Sequence, residues 1–169
     1  MINAMPRQRN MPASGKAESQ MEPVSTTPFG GSEIVITDRR WRAHVPNILR
    51  LVARALEAAD CTASVALTDD RTVKRLNYRD RGKNKPTNVL TYENPPEMLL
   101  AFGQVAREAA REDKSVGQHL AHLLVHGALH LQGYEHDHPG DAREMENEET
   151  RILIRIGVPN PWKSRSPVQ

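Results

Sequence analysis

Residues 122–138 read HLLVHGALHLQGYEHDH and hold five of the seven histidines in a chain of 169 residues. His122, His126 and His130 recur at every fourth position, which places them on one face of an α-helix. The residues between them include Leu123, Leu124, Val125, Leu129 and Leu131, so the helix predicted over Gly117–Leu131 lies at the edge of a core. Gly133 then offers a left-handed break that turns the chain and brings His136 back toward the same point. Two histidines four apart are common on surfaces. The glycine and third histidine at matching offsets, H-x-x-x-H-x-x-G-x-x-H, are what make the pattern specific. Three neutral imidazoles leave the fourth position of a zinc ion open to water, whose pKa falls to about 7. His126, His130 and His136 are therefore predicted to hold one Zn2+.

His122 and His119 lengthen the row only on paper. Ligand bonds are about 2.0–2.1 Å and each turn rises about 5.4 Å, so four successive helical histidines do not converge on one ion. His122 and His119 are predicted to be core or supporting residues. For Asp137 and His138, past the third ligand, a substrate contact and plain exposure are both open readings.

Outward from this helix, Glu33–Thr37 and Thr62–Leu67 read as strands, and Trp41–Ala59 reads as a helix lying on a sheet through Val45, Ile48, Leu49, Val52 and Leu56. Asp69 and Asp70 are natural N-caps for a short helix through Asn77, which the polar loop YRDRGKNKP joins to a third strand over residues 87–92. Pro95 and Pro96 end that strand, and MLLAF at 98–102 is either a strand or a helix start. Helices follow over Gly103–Glu112 and Ala142–Ile156, the latter with a capping box of Asp141 and Glu144. The expected fold is α/β (α+β): a small mixed sheet of three or four strands packed with helices, carrying a metal-site helix of zincin type.

Length alone favours one domain, large enough to bury a core without a structural metal. It is placed over residues 33–158. Residues 1–32 are rich in Met, Pro, Ser, Thr and Gly without periodicity, which predicts a disordered leader, with Met21 an alternative start. Residues 159–169 are expected to be a flexible tail. Cys61 is the one cysteine, so no internal disulfide is available and cytoplasm is the default compartment. No apolar run approaches the ~20 residues that span a bilayer, so no membrane partner is expected.

Charge is segregated, although the formal net charge is only +2. Arg71, Lys74, Arg75, Arg79, Arg81, Lys83 and Lys85 face a single acid, Asp80, whereas residues 141–149 carry five acids against Arg143. The basic loop suits a phosphate-bearing partner, and plain solvation is the competing reading for each of its cations. The histidine spacing matches the zinc-peptidase motif H-E-x-x-H-x-x-G-x-x-H except at its general base, which is Gly127 here. Glycine costs up to about 1 kcal/mol inside a helix, so something is predicted to need room beside the metal.

HGALHLQGYEH, residues 126–136, closely resembles the H-G-x-L-H-L-x-G-Y-D-H signature of the YbeY family, bacterial factors of ribosomal-RNA maturation regarded as metal-dependent, single-strand-directed endoribonucleases. LNYRDRGKNKPTNVLTY, residues 76–92, is similar to that family's R-G-K-x-K-P-T-N-V-L-S-F block, and VAREAAREDKS, HLAHLLVHG and DAREMENEE also look like its members. The resemblance runs from about Glu33 to Val158. By position it implies metal ligation by His126, His130 and His136 and a catalytic role for Arg81, whose guanidinium suits a phosphodiester and its transition-state charge. Arg79, Lys83 and Lys85 then become RNA contacts. Two departures stand out. Glu135 replaces the usual Asp before the third histidine, and Glu135, His122 and His138 are the candidates to support the ligands from behind. ENPPEMLLAFGQ, residues 93–104, lacks much of a G-D-I-V-type strand, so the sheet's last strand is expected to be short or absent.

The resemblance implies hydrolysis of single-stranded ribosomal RNA, in 3′-end processing of the small-subunit rRNA and in ribosome quality control. Ribosomes or small-subunit assembly factors are the implied partners. No residue is an obvious general base. A zinc-dependent peptidase or amide hydrolase is one alternative, favoured by the spacing and opposed by Gly127. A non-catalytic RNA-binding assembly factor is the other.

Overall fold

The computed structural model describes residues 27–29 and 32–162. The rest of the predicted leader, and residues 163–169 of the predicted tail, lie outside them. Eleven elements follow in the order β1 (Thr27–Phe29), β2 (Ser32–Ile36), α1 (Arg40–His44), α2 (Ile48–Ala58), β3 (Ser64–Thr68), α3 (Asp70–Arg81), β4 (Val89–Glu93), β5 (Pro96–Ala101), α4 (Phe102–Arg111), α5 (Val116–Leu131) and α6 (Pro139–Arg155). The sheet order is β1-β2-β3-β5-β4. β2, β3 and β5 run parallel, and β1 and β4 pair antiparallel to their neighbours. The mixed α/β character matches expectation, with four strands of five or six residues and a three-residue edge strand inside the stretch read as leader.

The expected loss of the strand near 93–104 is corrected. β5 is present and lies inside the sheet, between β3 and β4. Met98 and Leu100 face the main core with α2, α5 and α6, whereas Leu99 and Ala101 pack with Val73 of α3 on the other face. A strand buried on both faces reads as a continuous apolar run instead of an alternation, which hid it. The two prolines form the hairpin: Asn94–Pro95 is cis and Pro96 opens β5 opposite Glu93. β4 is thereby left at the sheet edge.

The single helix expected over Trp41–Ala59 is two, because Pro46 interrupts it and Asn47 takes a left-handed φ of 52°. The fully buried Trp41 indole donates to the Thr68 carbonyl at 3.0 Å, which satisfies its N–H in the core. Cys61 is a free, half-buried thiol, pushed up in pKa by burial and then by Asp60. The capping box expected at Asp141 is instead on α5, where Ser115 and Gln118 cap each other. α6 starts earlier, with His138 as N-cap and Pro139 just inside it. α5 is the most deeply embedded helix: Leu120, Leu124, Val125 and Ala128 are fully buried. Each such leucine contributes about 1.5–3 kcal/mol by burial, so the helix that carries the histidines is firmly anchored.

Candidate metal centre

The α5 helix ends as its sequence requires. The Tyr134 N–H returns to the Leu129 carbonyl at 3.0 Å, and Gly133 adopts φ 94°. That turn delivers His136, as predicted from the glycine. Ligand-capable atoms of His126, His130 and His136 lie within 4.8 Å of one another, the one such group of three or more His, Cys, Asp or Glu among the described residues. The Nε2 atoms of His126 and His130 approach to 3.0 Å. His126 and His130 are half-buried and His136 is exposed, so the triad opens to solvent on one side.

What holds the two helical rings is a hydrogen bond behind each. His126 Nδ1 meets Glu149 Oε1 at 2.5 Å, and His130 Nδ1 meets the Tyr134 carbonyl at 3.0 Å. Both acceptors call for a proton on Nδ1, which leaves the Nε2 lone pairs for a cation. Glu149 also takes His122 Nε2 at 3.0 Å and is 1% exposed. Burial alone pushes its carboxyl up, but the hydrogen bonds from His122 and His126 outweigh that and hold it down to about 2. Burial lowers the His130 imidazole, with help from His126 and His136 beside it, and so favours the neutral form that binds metal. The donor set thus fits a borderline cation with an open coordination position.

Glu149 was missed by the sequence reading, which placed it in an acidic run. A signal was present: it falls on the inward stripe of α6 with Met145, Ile152 and Leu153. His122 lies beside the centre through Glu149, as a supporting residue would. Glu135 does not: it is exposed and lines a surface depression with Asp141 and Glu144. His138 is exposed at the start of α6 and makes no side-chain cap bond. His119 is buried against Glu108 at 2.7 Å, and Glu108 also holds Asn88 and Gln104.

Gly127 has a different reason from the one expected. A Cβ there would sit 2.7 Å from Met98 Sδ and 3.3 Å from Thr91 Cγ2, so the space is taken by the sheet, not by anything beside a metal. α5 crosses β4 and β5 at this glycine. A larger residue at 127 would have to displace the Met98 side chain.

Arg81 lies in a helix, not a loop: α3 runs through it and Gly82 caps the end at φ 66°. Its Nη2 donates to the Thr91 carbonyl at 2.5 Å, on the exposed edge of β4, and its guanidinium lies 5.7 Å from the Tyr92 ring centroid. Tyr92 donates to Asp80 at 2.7 Å, and Arg79 forms an ion pair with Asp80 at 2.7 Å. Hydrogen bonds from Arg79 and then Tyr92 hold the Asp80 carboxyl down to about 2. Lys83 and Lys85 follow in an exposed loop pinned by the buried Asn77, whose side chain donates to the Lys85 carbonyl at 3.1 Å.

Three imidazoles at an open helix end, two of them with their outer nitrogens fixed, form the kind of triad that suggests a metal ion with one position left free, whereas a structural site closes its fourth position with protein. The family model described as "Endoribonuclease YbeY" matches residues 30–157, and the chain belongs to that family. A Gluconobacter oxydans protein named endoribonuclease YbeY is 50% identical, over 85% of this chain and 93% of its own length. One of the same name from Rhodopseudomonas palustris is 39% identical, over 85% and 86%. In fold, the chain is similar to a solution structure from Thermotoga maritima, with a TM-score of 0.51 and 19% identity over 82% of this chain and 99% of that one. No helix among the described residues is long and apolar enough to cross a membrane.

Proposed function

We propose that this chain is a metal-dependent endoribonuclease that hydrolyses single-stranded ribosomal RNA in the cytoplasm, in 3′-end maturation of the small-subunit rRNA and in ribosome quality control. The observation that carries this reading is the convergence of His126, His130 and His136 with the first two rings fixed by Glu149 and the Tyr134 carbonyl. Zinc is the preferred ion, because three nitrogen donors with a fourth position free suit its tetrahedral habit. When bound, it supplies Lewis acidity toward a phosphoryl oxygen and acidifies a coordinated water. The chain's own residues do the rest. His136 closes the triad from the solvent side, and Glu149 keeps His126 in one tautomer. Arg81 is assigned to the phosphodiester: a guanidinium at the β4 edge offers paired donors to two phosphate oxygens as negative charge grows on them. Arg79, Lys83 and Lys85 are assigned to flanking phosphates, and ribosomes or small-subunit assembly factors are the proposed partners.

A peptidase is disfavoured because residue 127 is a glycine packed against Met98 and Thr91, where that chemistry has its glutamate base. Incubating the full-length protein with single-stranded RNA and with a peptide panel tests the choice. RNA should be cut, chelator should stop the cutting, added zinc should restore it, and the peptides should survive. Chelator-sensitive peptide cleavage with intact RNA would overturn the reading. RNA that is bound but never cut, with any divalent ion, would leave an assembly factor in its place.

A further inference from the structure

The residues after α6 do not all leave the domain as the expected tail. Asn160 Oδ1 accepts the Trp162 N–H at 2.8 Å, which closes the PNPW turn, and the turn lies against α6 with Oδ1 3.4 Å from Thr150 Oγ1, whose proton goes to the Glu146 carbonyl at 2.8 Å. The Trp162 ring then stands nearly perpendicular to His122, with centroids 5.4 Å apart. His122 shares Glu149 with the candidate ligand His126, so two side chains, His122 and Glu149, link Trp162 to the triad.

Between this turn and the α4–α5 connection lies a groove of about 780 Å³. Its lining includes Arg111, Lys114, Gln118, His122, Asn160 and Trp162. Its size is within the range of small-molecule sites and ample for a nucleotide. Trp162 stays 48% exposed although it is held by backbone on a proline-flanked turn. An indole kept open on a fixed support loses little freedom on binding, which favours a flat aromatic ligand. Arg111 forms no ion pair among the described residues, Lys114 is paired with Glu112, and Asp113 also lines the groove, while the Gln118 and Asn160 side chains keep amide N–H groups that make no bond among the described residues, so the polar edge of a base can also be met.

We propose that this groove binds an unpaired nucleobase of the RNA next to the scissile phosphate, stacked on Trp162. The proposal rests on the RNA-directed reading above and names a subsite for it. Base stacking on an aromatic side chain tolerates any base, as cleavage of single strands requires. A duplex does not present such a face, so the groove contributes to single-strand preference.

The chain has two tryptophans, and Trp41 is fully buried, so quenching of tryptophan emission by AMP, which has no internucleotide bond to cut, reports on Trp162. AMP should quench the full-length protein saturably, ribose 5-phosphate should not, and Trp162→Phe should abolish the quench while keeping the Trp41 signal. On a single-stranded RNA substrate, Trp162→Ala should raise KM about tenfold with kcat near wild type, and Trp162→Phe should stay within about twofold. Circular dichroism and metal content of both variants should match wild type. No AMP quench, equal quenching by ribose 5-phosphate, or an unchanged KM in Trp162→Ala would overturn the subsite. So would loss of metal or of kcat alone, which would make Trp162 a prop for His122. If no RNA is cut at all, the proposed activity fails, but the AMP titration still decides the groove.

Discussion

The α5–α6 side and the α3–β4 side of the candidate site are built on opposite principles. On the first, a carboxylate that is 1% exposed orients two imidazoles inside the domain. On the second, Arg81, Arg79 and Asp80 are all exposed, and their partners are a backbone carbonyl, a carboxylate and a tyrosine hydroxyl at the sheet edge. A cation site gains from fixed ligands because each lone pair must already be aimed when the ion arrives. A guanidinium that meets a long, mobile polyanion gains from being reachable. If, as proposed, the first side holds a cofactor and the second handles a substrate, variants on the two sides should fail differently.

Arg81→Ala should show the largest effect. Loss of a donor to a developing oxyanion costs about 10²–10³ in rate, so RNA cleavage should fall by that much with metal content unchanged. Loss of metal from Arg81→Ala would erase the division of labour. Glu149→Gln comes next. It keeps shape but removes the charge behind His126, and should weaken zinc binding about 10–100-fold in a competition titration with a chromogenic chelator. If Glu149→Gln binds zinc like wild type and only slows cleavage, the buried side is not built for the ion.

Gly127→Ala tests the packing between the two sides. The gain in helix propensity of up to about 1 kcal/mol is opposed by overpacking against Met98 and Thr91, typically 1–3 kcal/mol. Urea denaturation should show a net loss of about 1 kcal/mol, with metal stoichiometry intact. The smallest effect belongs to Asp80→Asn. The folded Asp80 carboxyl is held down to about 2, below its usual value near 3.9, so its contribution is present above the unfolded value and fades as pH falls through the folded one. Thermal midpoints of wild type and variant should therefore differ slightly at pH 7 and converge only in strong acid. Convergence at pH 5 would show that the Arg79–Asp80–Tyr92 cluster contributes nothing.

The same contrast explains what could be read in advance. Helical periodicity and one glycine were enough to bring His126, His130 and His136 together, because local geometry alone sets their relation. Glu149 lies 23 residues from His126, and only tertiary packing of α6 on α5 joins them. An acid on an apolar stripe was the available clue, but it was submerged in neighbouring charge. β5 was hidden by burial on both faces, and the helical state of Arg81 by a polar run that weak propensity does not decide. For Gly127 the direction of the reasoning was sound, since a helical glycine does mark a close approach. Its partner was the sheet.

If three histidines converge on one ion that the reaction needs, removing either helical ligand removes both the metal and the activity. Metal content by plasma mass spectrometry, with single-stranded RNA cleavage measured on the same samples, tests it for wild type beside His126→Ala and His130→Ala. About one zinc per wild-type chain is expected and, in both variants, folded protein without stoichiometric metal or cleavage. Equal metal content in wild type and variants, or full cleavage by a metal-free variant, would contradict it.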